Sequence, residues 1–77
     1  MRMEEIRQAK HSQPFRPFTL HLADGRQFTV NHPEFILAGR DNRTVVVENV
    51  EGTIELIDSM LVTSVTFAAA ETQSPGG

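Results

Sequence analysis

His21, Asp24, His32 and Glu34 fall within fourteen residues, in the stretch FTLHLADGRQFTVNHPEF. Two imidazoles and two carboxylates so close in sequence have the chemistry of a metal site, which needs several convergent ligands. They also have that of a carboxylate pair sharing acid and base roles. Whether they converge depends on the register of the strands that carry them. Phe18, Leu20 and Leu22 alternate with Thr19 and His21, and Phe28 and Val30 alternate with Gln27 and Thr29. That period of two marks a pair of half-buried strands around an ADGR turn.

A two-residue turn at Asp24–Gly25 would set residue 20 against 29 and 22 against 27. Apolar side chains would then oppose polar ones, wasting the core face of both strands. A three-residue loop, Ala23-Asp24-Gly25, with Gly25 as the left-handed bulge residue, sets Leu20 against Phe28 and Phe18 against Val30 and brings Arg16 near His32. This register is the expectation. It sends His21 to the polar face with Thr19 and Thr29 and leaves His32 with the opposite parity, so the imidazoles diverge and no metal is expected. Asp24 already has a role in the turn, which removes it from an acid–base pair with Glu34. His32-Pro33-Glu34 is then the feature that still needs a role. Pro33 holds His32 extended, giving a corner whose ring covers the end of the fold and bonds to backbone. The functional alternative is a recognition point with Arg16 or Glu34, pH-sensitive near neutrality.

Around this ribbon, Met3 to roughly Ser12 reads as a short amphipathic helix with Met3, Ile6 and Ala9 or Lys10 on one stripe, stopped by Pro14 and Pro17. Strands are expected at Phe18–Leu22, Gln27–Asn31, Phe35–Ala38, Thr44–Glu48, Thr53–Ile57 and Val62–Phe67. The turns ADGR, NHPE, GRDNR, NVEG and DSM separate them. In the fourth and fifth strands a bulged NVEG loop pairs Val46 with Leu56 and Glu48 with Ile54, avoiding opposed carboxylates. Val46, Ile54, Leu56, Val65 and Phe67 join Ile6, Phe18, Leu20, Leu22, Phe28, Val30, Val62 and either Ile36 or Leu37 as the expected core. Residues 1–67 form one domain (helix 3–12, strands 18–67), and the tail 68–77 is expected to be disordered.

The chain has 77 residues and no Cys, so it needs a small apolar core or self-association in place of disulfides. No apolar run approaches a membrane span and the first residues are no signal peptide, so a cytoplasmic protein is expected. Residues 1–43 hold all seven Lys and Arg against five acids, whereas residues 44–77 hold five acids and no Lys or Arg. Such asymmetry can steer a partner or a second subunit. Arg26, Arg40 and Arg43 at hairpin ends, with Arg16 before the first strand, form a possible cationic rim for nucleic acid. Neighbouring Asp24 and Asp41, the acidic balance and the lack of exposed aromatics make that rim the weaker reading. No nucleophile elbow, phosphate loop or metalloprotease motif is present, so neither an enzyme nor a cofactor is expected.

The run PFRPFTLHLADGRQFTVNHPEF resembles a group of short uncharacterised bacterial proteins with a PFxPFxLxLxDGRxxxVxHPEF pattern, and RTVVVENVEGTIELIDSMLVTSV echoes it more weakly. At the level of architecture, an N-terminal helix, LxLxDGR at the first hairpin and IELIDSMLVTSVTF at the end are similar to Sm-like proteins. NHPEFILAGRDN stands where those proteins carry an Asn-bearing base-binding signature. The resemblance implies a mainly β chain, with an N-terminal helix followed by a strongly bent five- or six-stranded antiparallel sheet closed or nearly closed as an SH3-like (Sm-like) barrel. An open sheet crossed by the helix is the rival. The expected function is a non-enzymatic interaction module for an unknown protein partner or for self-association, with Arg16, Arg26, His32, Glu34, Arg40 and Arg43 as candidate contact residues. RNA binding by the Arg-bearing loops is the alternative.

Overall fold

In a computed structural model, which describes residues 1–69, one helix precedes six strands. Only Ala68 and Ala69 of the expected tail fall within that range; the rest lies outside the described residues. Helix α1 spans Met3–Lys10 and buries Met3, Ile6 and Ala9, the expected stripe. It ends two residues earlier than the sequence pattern implies. Ser12 Oγ donates to the Ala9 carbonyl at 2.8 Å, offering a C-terminal acceptor a side-chain partner in place of another helical turn. Glu4 and Glu5 in its first turn and Arg7 and Lys10 in its last complement the helix dipole.

The strands are β1 (Phe18–Leu22), β2 (Gln27–Val30), β3 (Ile36–Ala38), β4 (Thr44–Glu48), β5 (Ile54–Asp58) and β6 (Val62–Phe67). The second and third strands are each a residue shorter than expected and the fifth is shifted by one. Pro33–Phe35 and Ser59–Leu61 form single 3₁₀ turns ahead of β3 and β6. Pro33 suits the start of such a turn because its missing N–H would have no partner there.

Every pairing is antiparallel, and the strands form two three-stranded sheets, ordered β2-β1-β6 and β3-β4-β5. The expected hairpin register holds: Phe18 pairs with Val30 and Leu20 with Phe28, and Gly25 takes φ 93°. So does the second hairpin, where Val46 pairs with Leu56, Glu48 with Ile54, and Gly52 takes φ 90°. The sheet is not one continuous closed barrel. Between β2 and β3, and between β5 and β6, the 3₁₀ turns bond their own backbone instead of continuing a ladder. Among the described residues no helix is long and apolar enough to cross a membrane.

The core gathers Ile6 from α1, Phe18, Leu20, Val30 and Val62 from the first sheet, and Ile36 and Val45 from the second, all nearly inaccessible to solvent. Here one expectation is corrected. On β4 and β5 the inward residues are Val45, Val47 and Ile57, whereas Leu56 and Ile54 are exposed and Val46 is half-buried. The pairs are right and the face is wrong. Val46, Leu56, Ile54 and Glu48 form one face, Val45, Val47, Ile57 and Glu55 the other, so either offers an apolar set with one acid. Ile36, inward on β3, pairs with Val47 and places the second set inside. Phe67 is also more exposed than expected, at the rim beside Phe18.

These assignments separate two leucines. Leu20→Ala should lose about 2–5 kcal/mol in urea unfolding, as for a truncated core leucine. Leu56→Ala should stay within about 0.5 kcal/mol of the parent, as for an exposed position.

Candidate interaction face

The ladders that bury Val45 and Ile57 bring Leu37, Val46 and Leu56 into one row across the opposite face of the second sheet. Leu37 is 59% exposed, Leu56 71% and Ile54, next along the same face, 57%. Large apolar side chains are common singly on protein surfaces, but a contiguous group on one flat sheet face marks a contact surface. At one end of the row, Lys10, Glu34, Leu37, Val46, Glu48 and Ile54 line an open hollow of about 290 Å³. The Lys10 ammonium is directed elsewhere, donating to the Pro33 carbonyl at 2.7 Å and the Ile36 carbonyl at 2.6 Å. Glu34, Glu48 and Glu51 form no ion pair among the described residues. The face is apolar with an acidic end.

The four candidate arginines do not form one free cationic rim. Arg26 Nε donates to Asp24 Oδ2 at 2.8 Å, lies 3.8 Å from Glu55 and stands over the Phe28 ring. Arg43 Nε donates to Asp58 Oδ2 at 2.9 Å. Arg16 turns away from His32: it donates to the Ala68 carbonyl at 2.7 Å and lies 5.4 Å from the Phe67 ring centre. Arg40, exposed in the β3–β4 turn, makes no side-chain bond among the described residues.

His21 and His32 have separate neighbours. The His21 Nε2 and Thr66 Oγ1 lie 2.9 Å apart on the strand face shared by Thr19 and Thr29. His32 is exposed and meets Phe35 edge-on at 5.5 Å, in place of the expected backbone bond. Glu34 sits in the 3₁₀ turn beside it, outward at the apolar row. Among the described residues no three His, Asp or Glu side chains group closely enough to hold a metal ion.

The aspartates serve the turns. Asp41 Oδ1 accepts from the backbone N–H groups of Thr44 and Arg43 at 2.9 Å, and its Oδ2 accepts from the Thr44 hydroxyl at 2.7 Å. These bonds, those from Thr44 foremost, hold its pKa down to about 2. Backbone bonds from Met60 and Arg26 likewise lower Asp58 and Asp24. Anions stabilised in this way are the reverse of a proton donor poised at neutral pH. The same turn requires Gly39, where an added Cβ would lie 2.9 Å from both Asp41 Oδ1 and the Thr44 carbonyl oxygen.

The exposed apolar row is the feature that the expected core missed, although a run such as Val45-Val46-Val47 marks a strand to be covered on both faces, by the helix or by another subunit. Its signal was present in that run, which has apolar residues of both parities.

Two outcomes follow from the turn. Because the Asp41 pKa is lowered on folding, its contribution is present above 3.8 and is lost as pH falls towards about 2. Asp41→Ala should therefore lower the melting temperature near neutral pH and flatten its fall across that acid window, an effect kept small by exposure. Gly39→Ala should destabilise by about 1–3 kcal/mol in chemical unfolding, since one clashing atom belongs to the backbone.

Comparison with family models, curated proteins and solved structures finds no match to this chain.

Proposed function

We propose that the protein is a small non-enzymatic interaction module that binds another polypeptide on the outer face of β3–β4–β5. The observation that carries this reading is the row Leu37–Val46–Leu56, extended by Ile54, left uncovered on a sheet whose other face is packed. A domain this small has little apolar surface to spare, and placing four such residues together outside the core favours a contact role. In fold terms, we read the strands in the order β6-β1-β2-β3-β4-β5, that of an SH3-like barrel parted between β2 and β3. This architecture presents loops and edges for binding and does not itself specify chemistry.

The competing reading, RNA taken on the arginine-bearing loops, has less support. Arg26 and Arg43 already face carboxylates, which lowers what they could offer phosphate.

The test compares the parent chain with the double variant Leu37→Lys, Leu56→Lys. Both changes fall on exposed positions, so the variant should remain folded. Sedimentation over a wide concentration range and affinity capture from cells that make the protein should show self-association, or a stoichiometric protein partner, that the double variant loses. A monomer with an unchanged set of captured proteins would overturn the reading. So would tight, steeply salt-dependent RNA binding that the variant retains.

A further inference from the structure

Beside the apolar row lies an open strand edge, and the phase of the β4–β5 ladder decides what that edge presents. Asn49 N–H donates to the Thr53 carbonyl at 3.0 Å and Ser59 N–H to the Arg43 carbonyl at 2.7 Å. Hydrogen-bonded pairs alternate along an antiparallel ladder, so these two place the intervening bonded pairs at Val47–Glu55 and Val45–Ile57. The N–H and C=O groups of Ile54 and Leu56 therefore point away from β4, and among the described residues β5 has no strand on that side. The same two residues carry exposed apolar side chains. Backbone donors and acceptors thus lie alongside a continuous apolar strip.

The surrounding charge distinguishes among occupants. Glu48 lies across the ladder from Ile54, Glu51 lies in the turn that leads into β5, and neither forms an ion pair among the described residues. A second copy offers little to meet them, since none of the edge strands β2, β3, β5 and β6 contains Lys or Arg. Of the cations beside those strands, Arg26 and Arg43 are bonded to Asp24 and Asp58, which leaves Arg40, two residues past β3, as a lone charge against the two glutamates.

We propose that β5 accepts an extended segment of a different protein as an added strand, with alternating apolar side chains continuing the Leu37–Val46–Leu56 row and Lys or Arg beside Ile54 facing Glu48 and Glu51. This rests on the interaction-module reading and gives it a partner chemistry. Strand addition draws affinity from main-chain bonds and selectivity from alternate side chains. The charge at one end fixes which way the segment slides to register.

The test uses the full chain and a pool of short synthetic peptides in which Val, Ile or Leu alternates with Thr, followed by two lysines. Fluorescence anisotropy should show binding at least about tenfold tighter than for the same peptides ending in two glutamates. Hydrogen exchange of the Leu56 amide should slow on binding. Methylating the peptide nitrogens that face β5 should abolish binding, as should Leu56→Pro, which removes an outward N–H and no bond to β4. The N-methylated peptides carry the test should that variant fail to fold. Leu56→Ile, which keeps both N–H and apolar side chain, should bind as the parent does. Absence of binding by every peptide, or equal binding of lysine and glutamate peptides, would overturn the proposal. Binding that tolerates N-methylation but is lost in the Leu37→Lys, Leu56→Lys variant would overturn strand addition and leave the interaction face standing. Self-association abolished by Leu56→Pro without peptide binding would identify a second copy as the occupant and overturn the proposal.

Discussion

Among the described residues the two sheets share no hydrogen-bonded ladder, so everything else depends on the helix and the apolar cluster that hold them together. Ile6 is fully buried in that cluster, and the amines of Met1 and Lys10 go to the places where the ladders lapse. At the β5–β6 corner, the amine of Met1 donates to the Ser59 and Val62 carbonyls at 3.0 and 2.8 Å. At the β2–β3 corner, Lys10 reaches the Pro33 and Ile36 carbonyls, and in the β3–β4 turn Arg7 donates to the Gly39 carbonyl at 3.0 Å. Part-buried carbonyls without strand partners need donors, and bonds from charged groups are stronger than neutral ones. The helix supplies at the corners what a closed barrel would draw from its neighbouring strands.

That arrangement also shapes the surface. Arg7 and Lys10 are spent on backbone, Arg26 and Arg43 on carboxylates, so the basic half of the sequence does not become a basic patch. Glu48 and Glu51 of the later half form no ion pair among the described residues, and they flank an apolar face. The helix and the first sheet cover only one side of β3–β4–β5, and no further element of the described chain lies over the other.

Much of the register was readable in advance, and for a local reason. Gly25 and Gly52 each take positive φ in a short hairpin loop, and such a loop fixes which residues pair. In the first hairpin the pairing also settled the faces, because only one set of side chains was apolar. In the second it did not. Val45 and Val46 are chemically alike, and so are Ile36 and Leu37 beside them on β3, so no pattern within these strands reports which face turns inward. The partners of the arginines were legible only in part: Asp24 stands two residues from Arg26, whereas Asp58 and Glu55 lie 15 and 29 residues beyond the arginines they meet. The corner at His32 resolved into a 3₁₀ turn that ends one sheet, leaving its ring against Phe35.

One pairing has a bearing on how the chain is made. β1 lies between β2, its immediate successor, and β6, whose paired residues are separated from it by 40 to 49 positions. The β3–β4–β5 unit is assembled from consecutive neighbours, so its ladders need nothing translated after β5. During vectorial synthesis the outward-facing leucines are therefore in place while Phe18–Leu22 still has an open flank. The last of the described strands is the one that completes the pairing of β1, and a nascent polypeptide paused before it would carry two adhesive surfaces at once.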